Sequence, residues 1–289
     1  MRPFFPALLA LLSLSTPAPA QTTHRVVIPN VAAFVLGRNG SLYGTEIRFY
    51  NPTSSSKRFV FVDWIGTEGW KPLEDTVLPG GTLPIGGWTV FNNDAVVTGE
   101  SKYGAAVCEI DDGLIVLSRE LQASVPSQYQ PPPLSTRCPE WLGGANNPPP
   151  GTGCVTGIGP TIEFSRDFFR PDEPMELLGL DDPTVGPVLP ANRTNLVIIN
   201  PDTETSTALV QVHDSVGQLY EKTFDVPART YFQITDLYSL PEFRPGKIPG
   251  VGYFYGSPSR ATVTCSTRCY TMGYVISNFN NTVSMSAPR

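Results

Sequence analysis

Short runs of apolar and β-branched residues, broken by turn residues, recur along the chain. Residues 58–64 (RFVFVDW) and 114–119 (LIVLSR) are two such runs. Runs of this length and composition are typical of strands, and the Pro and Gly residues between them favour turns, because Pro fixes φ and Gly accepts positive φ. The pattern therefore predicts an all-β protein of many short strands.

The runs occur twice in the same order. Residues 45–52 (TEIRFYNP) reappear as residues 194–201 (TNLVIINP), 149 positions later. Three further landmarks match: a strand after the Asn-Pro turn, a Pro-containing turn into another strand, and a final strand pair. We predict two tandem immunoglobulin-like β-sandwich domains, residues 24–128 and 190–289.

The final strand pair of each predicted domain surrounds a tight turn. Residues 111–113 (DDG) form this turn in the first copy and residues 266–268 in the second. Asp-Gly between two strand-like runs is a strong hairpin signal. We therefore predict hairpins at both places, and equivalent turns at Asn51 and Asn200.

The segment between the predicted domains, residues 129–189, has a different composition. Its first part contains Pro-Pro-Pro at residues 131–133 and 148–150. We predict a Pro-rich inter-domain insertion that is exposed and partly polyproline. The strand-like residues 161–164 (TIEF) and 175–180 (MELLGL) are expected to add an edge strand or to pack between the domains.

Residues 1–20 have the features of a secretory signal peptide. They contain Arg2, an apolar run over residues 4–12 and a small-x-small sequence at residues 18–20. The apolar run is too short to span a bilayer, and no second long apolar segment follows. We expect a mature protein that is secreted, periplasmic or associated with the cell surface, with no transmembrane anchor after cleavage.

Charge disfavours one class of partner. The chain has 20 Lys and Arg against 26 Asp and Glu, and its net charge of −6 becomes −7 when a leader with a single Arg is removed. Binding to nucleic acid requires a basic face, so we expect no nucleic-acid partner.

The five cysteines are interpreted first as disulfides, because the protein is expected to be exported. A bond between Cys138 and Cys154 would close a loop of about 17 residues and stabilise it by roughly 3 kcal/mol. Cys265 and Cys269 would lie about 13 Å apart on a straight strand, but they can bond if the residues between them form a loop. Cys108 is then left as a buried small apolar residue.

No pattern in the chain predicts catalysis, a metal site or a cofactor. His24 and His213 are the two histidines, and no nucleophile-elbow glycine pattern accompanies them. The acidic pairs at residues 111–112, 172–173 and 181–182 lie in turns, where Asp favours local backbone bonding. The cysteines lack the paired short spacings of zinc sites. We predict that the protein is not an enzyme.

Aromatic residues suggest an alternative. Trp64, Trp70 and Trp88, with Tyr43 and Tyr50, could form a face on which a sugar ring stacks. In a sandwich, such side chains more often pack in the core or at an edge.

Three segments carry a resemblance to a known family: residues 27–29 (VIP), 45–52 (TEIRFYNP) and 193–201 (RTNLVIINP). The chain resembles a family of exported, largely uncharacterised bacterial proteins, common in Acidobacteria-like lineages, in which these strand and turn motifs open two successive copies. The resemblance implies tandem β-sandwiches, and it carries no catalytic residues to transfer.

These observations favour a non-enzymatic exported interaction or structural protein, whose partner is an unknown protein or a surface glycan. A carbohydrate-binding module is the alternative, and a hydrolase is third. A deep polar pocket with convergent titratable groups would count heavily against this hypothesis of a non-enzymatic interaction or structural protein.

Overall fold

Strands dominate the computed structural model, which describes residues 22–33, 35–36, 41–86, 102–124, 155–180, 192–213, 218–243, 259–277 and 283–289. The helical elements in these ranges are two 3-10 turns, Leu237–Ser239 and Pro241–Phe243. No helix in the described part of the chain is long and apolar enough to cross a membrane.

The strands of the first half form one β-sandwich. Its strands are β1 Thr23–Ala33, β2 Val35–Leu36, β3 Ser41–Tyr50, β4 Lys57–Gly66, β5 Glu74–Val77, β6 Thr82–Gly86, β7 Lys102–Asp111, β8 Ile115–Ser124 and β9 Val155–Phe164. Sheet I has the order β1-β7-β4-β5, and sheet II the order β2-β3-β8-β9 with β6 also paired to β3. The two sheets meet where Phe49 of β3 stacks on Phe59 of β4, with ring centroids 3.8 Å apart.

The second half forms another β-sandwich. Its strands are β10 Met175–Leu180, β11 Asn192–Asn200, β12 Ser206–His213, β13 Leu219–Val226, β14 Thr230–Ile234, β15 Ser259–Cys265, β16 Tyr270–Ser277 and β17 Val283–Ser286. Sheet III has the order β10-β15-β12-β13, and sheet IV the order β14-β11-β16-β17. The strands β10 to β17 can be matched, in chain order, to β1 and β3 to β9. With this matching, sheet III has the strand order of sheet I (β1-β7-β4-β5), and sheet IV has the order β6-β3-β8-β9 of sheet II. The prediction of an all-β protein with two sandwiches is confirmed.

The two predicted Asn-Pro turns have matching hydrogen bonds. Asn51 is fully buried, and its Nδ2 donates to the carbonyl oxygens of Ser55 (2.8 Å) and Val77 (2.9 Å). Asn200 is also fully buried, and its Nδ2 donates to the carbonyl oxygens of Glu204 (2.7 Å) and Val226 (3.1 Å). Each asparagine therefore fixes the turn that follows it and ties this turn to a strand of the facing sheet.

Two predicted hairpins are instead connections between sheets. The turn at residues 111–113 joins β7 of sheet I to β8 of sheet II, and the turn after Cys265 joins β15 of sheet III to β16 of sheet IV. A tight turn reverses the chain in both arrangements, and its residues do not determine whether the flanking strands pair with each other. Here β7 pairs with β1 and β4, so its two hydrogen-bonding edges are already occupied.

The segment assigned to the insertion contains two strands of the sandwiches. β9 pairs with β8 and ends sheet II, and β10 pairs with β15 and starts sheet III. The first sandwich therefore extends to residue 164, and the second begins at residue 175. The rest of the Pro-rich part, with Cys138 and Cys154, lies outside the described residues.

The outer face of sheet IV is buried along the middle of β11 and β16. Leu196 and Gly273 face inwards, since a Cβ on Gly273 would lie 2.5 Å from the side chain of Leu180. On the opposite, outer face, five residues of these two strands are at most 8% exposed: Val197, Ile199, Tyr270, Met272 and Tyr274.

The first sandwich and the chain between β9 and β10 cover this face. Tyr103 of β7 meets Tyr231 of β14 edge to face, with centroids 5.5 Å apart, and Phe169 meets Tyr270 at 5.9 Å. Asn30 of β1 contacts the sulfur of Met285 at 3.2 Å. The two sandwiches therefore share one continuous apolar core.

Candidate functional site

A pocket of about 450 Å³ lies where the first sandwich meets the outer face of sheet IV. This volume is in the range of small-molecule sites. Both sandwiches contribute to its walls, and the polar and aromatic lining residues are Asn30, Tyr43, Thr45, Tyr103, Glu120, Arg193, Asn195, Tyr231, Gln233, Thr235 and Tyr274.

The wall from the first sandwich consists of inward-facing positions at the end of sheet II. Thr45 of β3 stands opposite Glu120 of β8, and Tyr43 stands two residues before Thr45 on the same face. The Thr45 hydroxyl accepts a hydrogen bond from the backbone N–H of Ala32 at 3.0 Å and donates to the carbonyl oxygen of Asn30. These bonds join β1 to sheet II and leave Glu120 and Tyr43 to face the pocket.

The wall from the second sandwich consists of outward-facing positions of sheet IV. Asn195 of β11 stands opposite Tyr274 of β16, and Arg193 stands opposite Ile276. The Asn195 Oδ1 accepts the backbone N–H of Asp236 at 3.0 Å, which fixes this side chain. Because strand residues alternate between faces, these residues share their face with buried Val197.

Glu120 is the one carboxylate among the described residues that line the pocket. No described residue forms a hydrogen bond or an ion pair with this side chain. Burial raises the pKa of Glu120 to about 7, because removal from water disfavours the charged form. The contrast is Glu46, which is 2% exposed but paired with Arg119 through an Nη2–Oε2 hydrogen bond of 3.1 Å.

Three tyrosines of the lining are within electrostatic reach of Glu120. Burial is the main cause of the raised pKa of Tyr43, Tyr231 and Tyr274, and the negative charge of Glu120 raises each of them further. The hydroxyls of Tyr231 and Tyr274 share a hydrogen bond. Arg193 lowers the pKa of Tyr43, so both charged residues of the lining, Glu120 and Arg193, affect the Tyr43 hydroxyl.

The lining is suited to binding a small molecule by ring contacts and hydrogen bonds. The tyrosines supply large amphipathic surfaces, and Glu120 supplies a hydrogen-bond acceptor. A glycosidase-type mechanism uses two carboxyl groups on either side of the substrate, whereas the described lining has one. Within the described residues, no group of three or more His, Cys, Asp or Glu could hold a metal ion.

A second, smaller cavity of about 230 Å³ also lies between the sandwiches. Its three arginines are already paired with acids: Arg25 with Glu109 at 3.0 Å, Arg229 with Asp63 at 2.6 Å and Arg268 with Asp202 at 2.6 Å. Arg229 also donates to the carbonyl oxygens of Trp64 (2.9 Å) and Pro201 (3.0 Å). The contacts of Arg229 with Asp63 and Trp64 join the second sandwich to the first.

Neither Trp64 nor Trp70, two of the three predicted stacking tryptophans, lines the pocket. Trp64 is 5% exposed, and its indole N–H donates to the carbonyl oxygen of Thr67 at 2.8 Å. Trp70 is half-buried and packs against the core. Trp88 lies outside the described residues. Trp64 therefore offers no free ring face, because the apolar area of its indole is used in the sandwich core.

The cysteine predictions have two observable outcomes. Cys265 and Cys269 are joined with Cα atoms 6.3 Å apart, as predicted from a loop over residues 266–268. Cys108 is a free, buried thiol whose pKa is raised by burial. The predicted bond between Cys138 and Cys154 stays a prediction, because both residues lie outside the described ranges.

The acidic pairs that are described have roles in turns. Asp111 is buried, and its carboxylate accepts the backbone N–H of Arg58. Asp112 accepts from His24 at 3.0 Å, and Glu173 accepts the backbone N–H of Arg170 at 3.0 Å. The pair at residues 181–182 lies outside the described ranges.

Comparison with protein-family models, curated proteins and solved structures finds no match to the chain.

Proposed function

We propose that this chain is an exported, non-enzymatic binding protein whose ligand site is the pocket between its two sandwiches. The observation that supports this proposal is that both sandwiches line the pocket, where four tyrosines and a carboxylate that no described residue pairs face a volume of about 450 Å³. A purely structural module has no need of such a lining, because a carboxylate that is partly removed from water without a partner costs stability. The leader-like residues 1–20 support export.

We further propose that the two sandwiches arose by duplication of one unit. The equivalent strand orders and the matching bonds of Asn51 and Asn200, 149 residues apart, support this origin. The two copies contribute different surfaces to the pocket. The first contributes one end of its sandwich to the pocket, and the second contributes an outer sheet face.

The function is tested by filling the pocket. Thr235 is exposed and lines the pocket, so Thr235→Trp places a large side chain there without entering the core. The control is Thr223→Trp, at an exposed position of β13 outside the lining. A small-molecule library is screened against the mature protein for compounds that raise the melting temperature.

We expect compounds that stabilise the wild type and Thr223→Trp, and that lose their effect on Thr235→Trp. Compounds that stabilise both variants equally, or a library without any stabilising compound, would contradict the proposed site.

A neutral sugar is the second candidate for the ligand. The tyrosines of the pocket could serve the stacking role that the sequence suggested for tryptophans, and Gln233 is an exposed amide on the same wall. In this form the carbohydrate hypothesis depends on Tyr43 and Tyr103 rather than on Trp64.

A further inference from the structure

Glu120 places its carboxylate in the lining of the pocket. Glu120 lies on the same, inward face of β8 as Val116 and Ser118, which are 0% and 1% exposed. No described residue donates a hydrogen bond to it or forms an ion pair with it. Charged groups are removed from water in proteins only at a cost, and partners normally offset that cost.

Four tyrosines line the same pocket as this carboxylate. Tyr43, Tyr231 and Tyr274 all sense its charge, and Tyr103 contacts the ring of Tyr231. A carboxylate together with several tyrosine rings is a favourable environment for an organic cation, because the ring faces and the acid both attract positive charge. Arg193 also lines the pocket, but it is not among the causes of the pKa shift of Glu120.

We propose that the pocket binds a small organic ammonium ion, whose positive charge is neutralised by Glu120 and whose alkyl groups pack against the tyrosine rings. The inference rests on the proposed function and names the ligand class of the same site. A neutral sugar would leave the Glu120 carboxylate without a counter-charge, whereas an ammonium ion supplies it.

The test compares a cation with its neutral isostere. Choline and 3,3-dimethyl-1-butanol have the same shape, but choline carries a quaternary nitrogen where the alcohol carries a carbon. Both are titrated calorimetrically into the full mature chain at pH 8, with methyl glucoside as the sugar probe. We expect choline to bind at least about tenfold more tightly than the alcohol. Equal binding of choline and the alcohol, or binding of the glucoside alone, would overturn the inference.

Glu120→Gln removes the charge and keeps the shape of the side chain. We expect this variant to lose most of the preference for choline over the alcohol, and the tyrosine rings to account for what remains. Glu163→Gln is the matched control, because Glu163 is an exposed acid on the neighbouring strand β9 and lies outside the pocket lining. A folded Glu120→Gln protein that keeps the full wild-type preference for choline would contradict the assignment.

The aromatic part of the inference is tested at Tyr103, which is 39% exposed and can be replaced with little disturbance of the core. Tyr103→Leu should weaken choline binding about three- to tenfold, whereas Tyr103→Phe keeps the ring and should retain it. Equal loss in both variants would show that the hydroxyl is used and not the ring.

Choline binding should also weaken as the pH falls. Burial raises the pKa of free Glu120 to about 7, so below that pH the carboxyl must lose a proton before it can pair with a cation. The choline dissociation constant should therefore rise roughly tenfold per pH unit below pH 6. Tyr43, Tyr231 and Tyr274, whose pKa values are raised, stay neutral in that range, and Arg193 is the other charged residue of the lining. Glu120→Gln should show no such dependence.

The cation inference and the proposed function can fail separately. If Thr235→Trp abolishes binding of neutral compounds and choline does not bind the wild type, the pocket is a ligand site for another chemical class. If no compound depends on Thr235, both proposals are contradicted.

Discussion

Asn51 and Asn200 show how one residue type fixes a turn in each sandwich. The Asn51 Oδ1 accepts the backbone N–H of Thr53 at 3.0 Å, and the Asn200 Oδ1 accepts that of Asp202 at 3.0 Å. Together with the Nδ2 bonds to the facing sheet, each amide uses both its donor and its acceptor groups. A buried side chain with these bonds cannot be shortened without leaving backbone groups unpaired.

We expect Asn51→Ala to lower the free energy of unfolding by roughly 2–4 kcal/mol, because the buried carbonyl of Val77 loses its donor. Urea denaturation of the mature protein measures this change. Asn200→Ala should behave similarly, since it removes the equivalent bonds. Ser54→Ala, at an exposed position of the same turn as Asn51, is the control and should change stability by no more than about 0.5 kcal/mol.

At the scale of elements, the corner between β15 and β16 combines a disulfide with contacts to the inter-sandwich chain. The carbonyl oxygen of Cys265 accepts the N–H of Asp172 at 2.8 Å, and that of Cys269 accepts the N–H of Phe169 at 2.9 Å. Both cysteines are at most 1% exposed. The bridged corner thereby holds the segment that leads from the first sandwich into the second.

We expect replacement of both Cys265 and Cys269 by Ala to destabilise the protein by about 2 kcal/mol, from the closure entropy of a short loop. Guanidinium denaturation measures the loss. Cys108→Ala gives the reference for removing a buried thiol that is not bonded. The account of this corner would be contradicted if the double variant were as stable as the wild type.

Local patterns in the sequence predicted the strands and the turns, but not which strands become neighbours. The Asp-Gly turn at residues 111–113 was recognised, yet it joins two sheets instead of closing a hairpin. Pairing depends on contacts between distant segments, such as β1 with β7, which no local pattern contains. For the same reason, the sequence leaves two interpretations for residues 175–180, an edge strand or a segment packed between the domains, and the structure shows the edge strand β10.

The pocket could have been suspected from one signal alone. Glu120 lies in phase with Val116 and Ser118, so a carboxylate occupies a position where the alternation predicts a core residue. The tyrosines opposite it come from the second sandwich, about 110 to 150 positions later in the chain. No local pattern in the sequence predicts that these tyrosines face Glu120, because the contact joins two segments that are distant along the chain.

At the scale of the whole molecule, the ion pair of Asp63 and Arg229 joins the sandwiches. The Arg229 guanidinium donates two hydrogen bonds to the Asp63 carboxylate, at 2.6 and 2.8 Å. This bonding lowers the pKa of Asp63 and raises that of Arg229. Both side chains are about 40% exposed, so solvent screens the interaction.

We expect a double-mutant cycle of Asp63→Asn and Arg229→Gln to give a coupling energy of about 0.5–1 kcal/mol at pH 7. Because the folded-state pKa of Asp63 is lowered, this stabilisation is present above its unfolded pKa, near 3.9, and is lost as pH falls through the lower folded value. Denaturation of the wild type, the two single variants and the double variant gives the coupling energy at pH 7 and again at pH 2.5, where it should be lost. A coupling energy that is zero at pH 7 would show that the pair does not join the sandwiches in solution.

The second sandwich faces Glu120 and forms a pocket with the first sandwich there. The most direct measurement is a pH titration of the carboxyl ¹³C signal of Glu120 in the mature protein, assigned by its absence from Glu120→Gln. The structure predicts a pKa of about 7, because burial of the side chain disfavours its charged form. A value near 4.3, that of a solvated glutamate, would show that water reaches Glu120 freely and that the two sandwiches do not enclose this site.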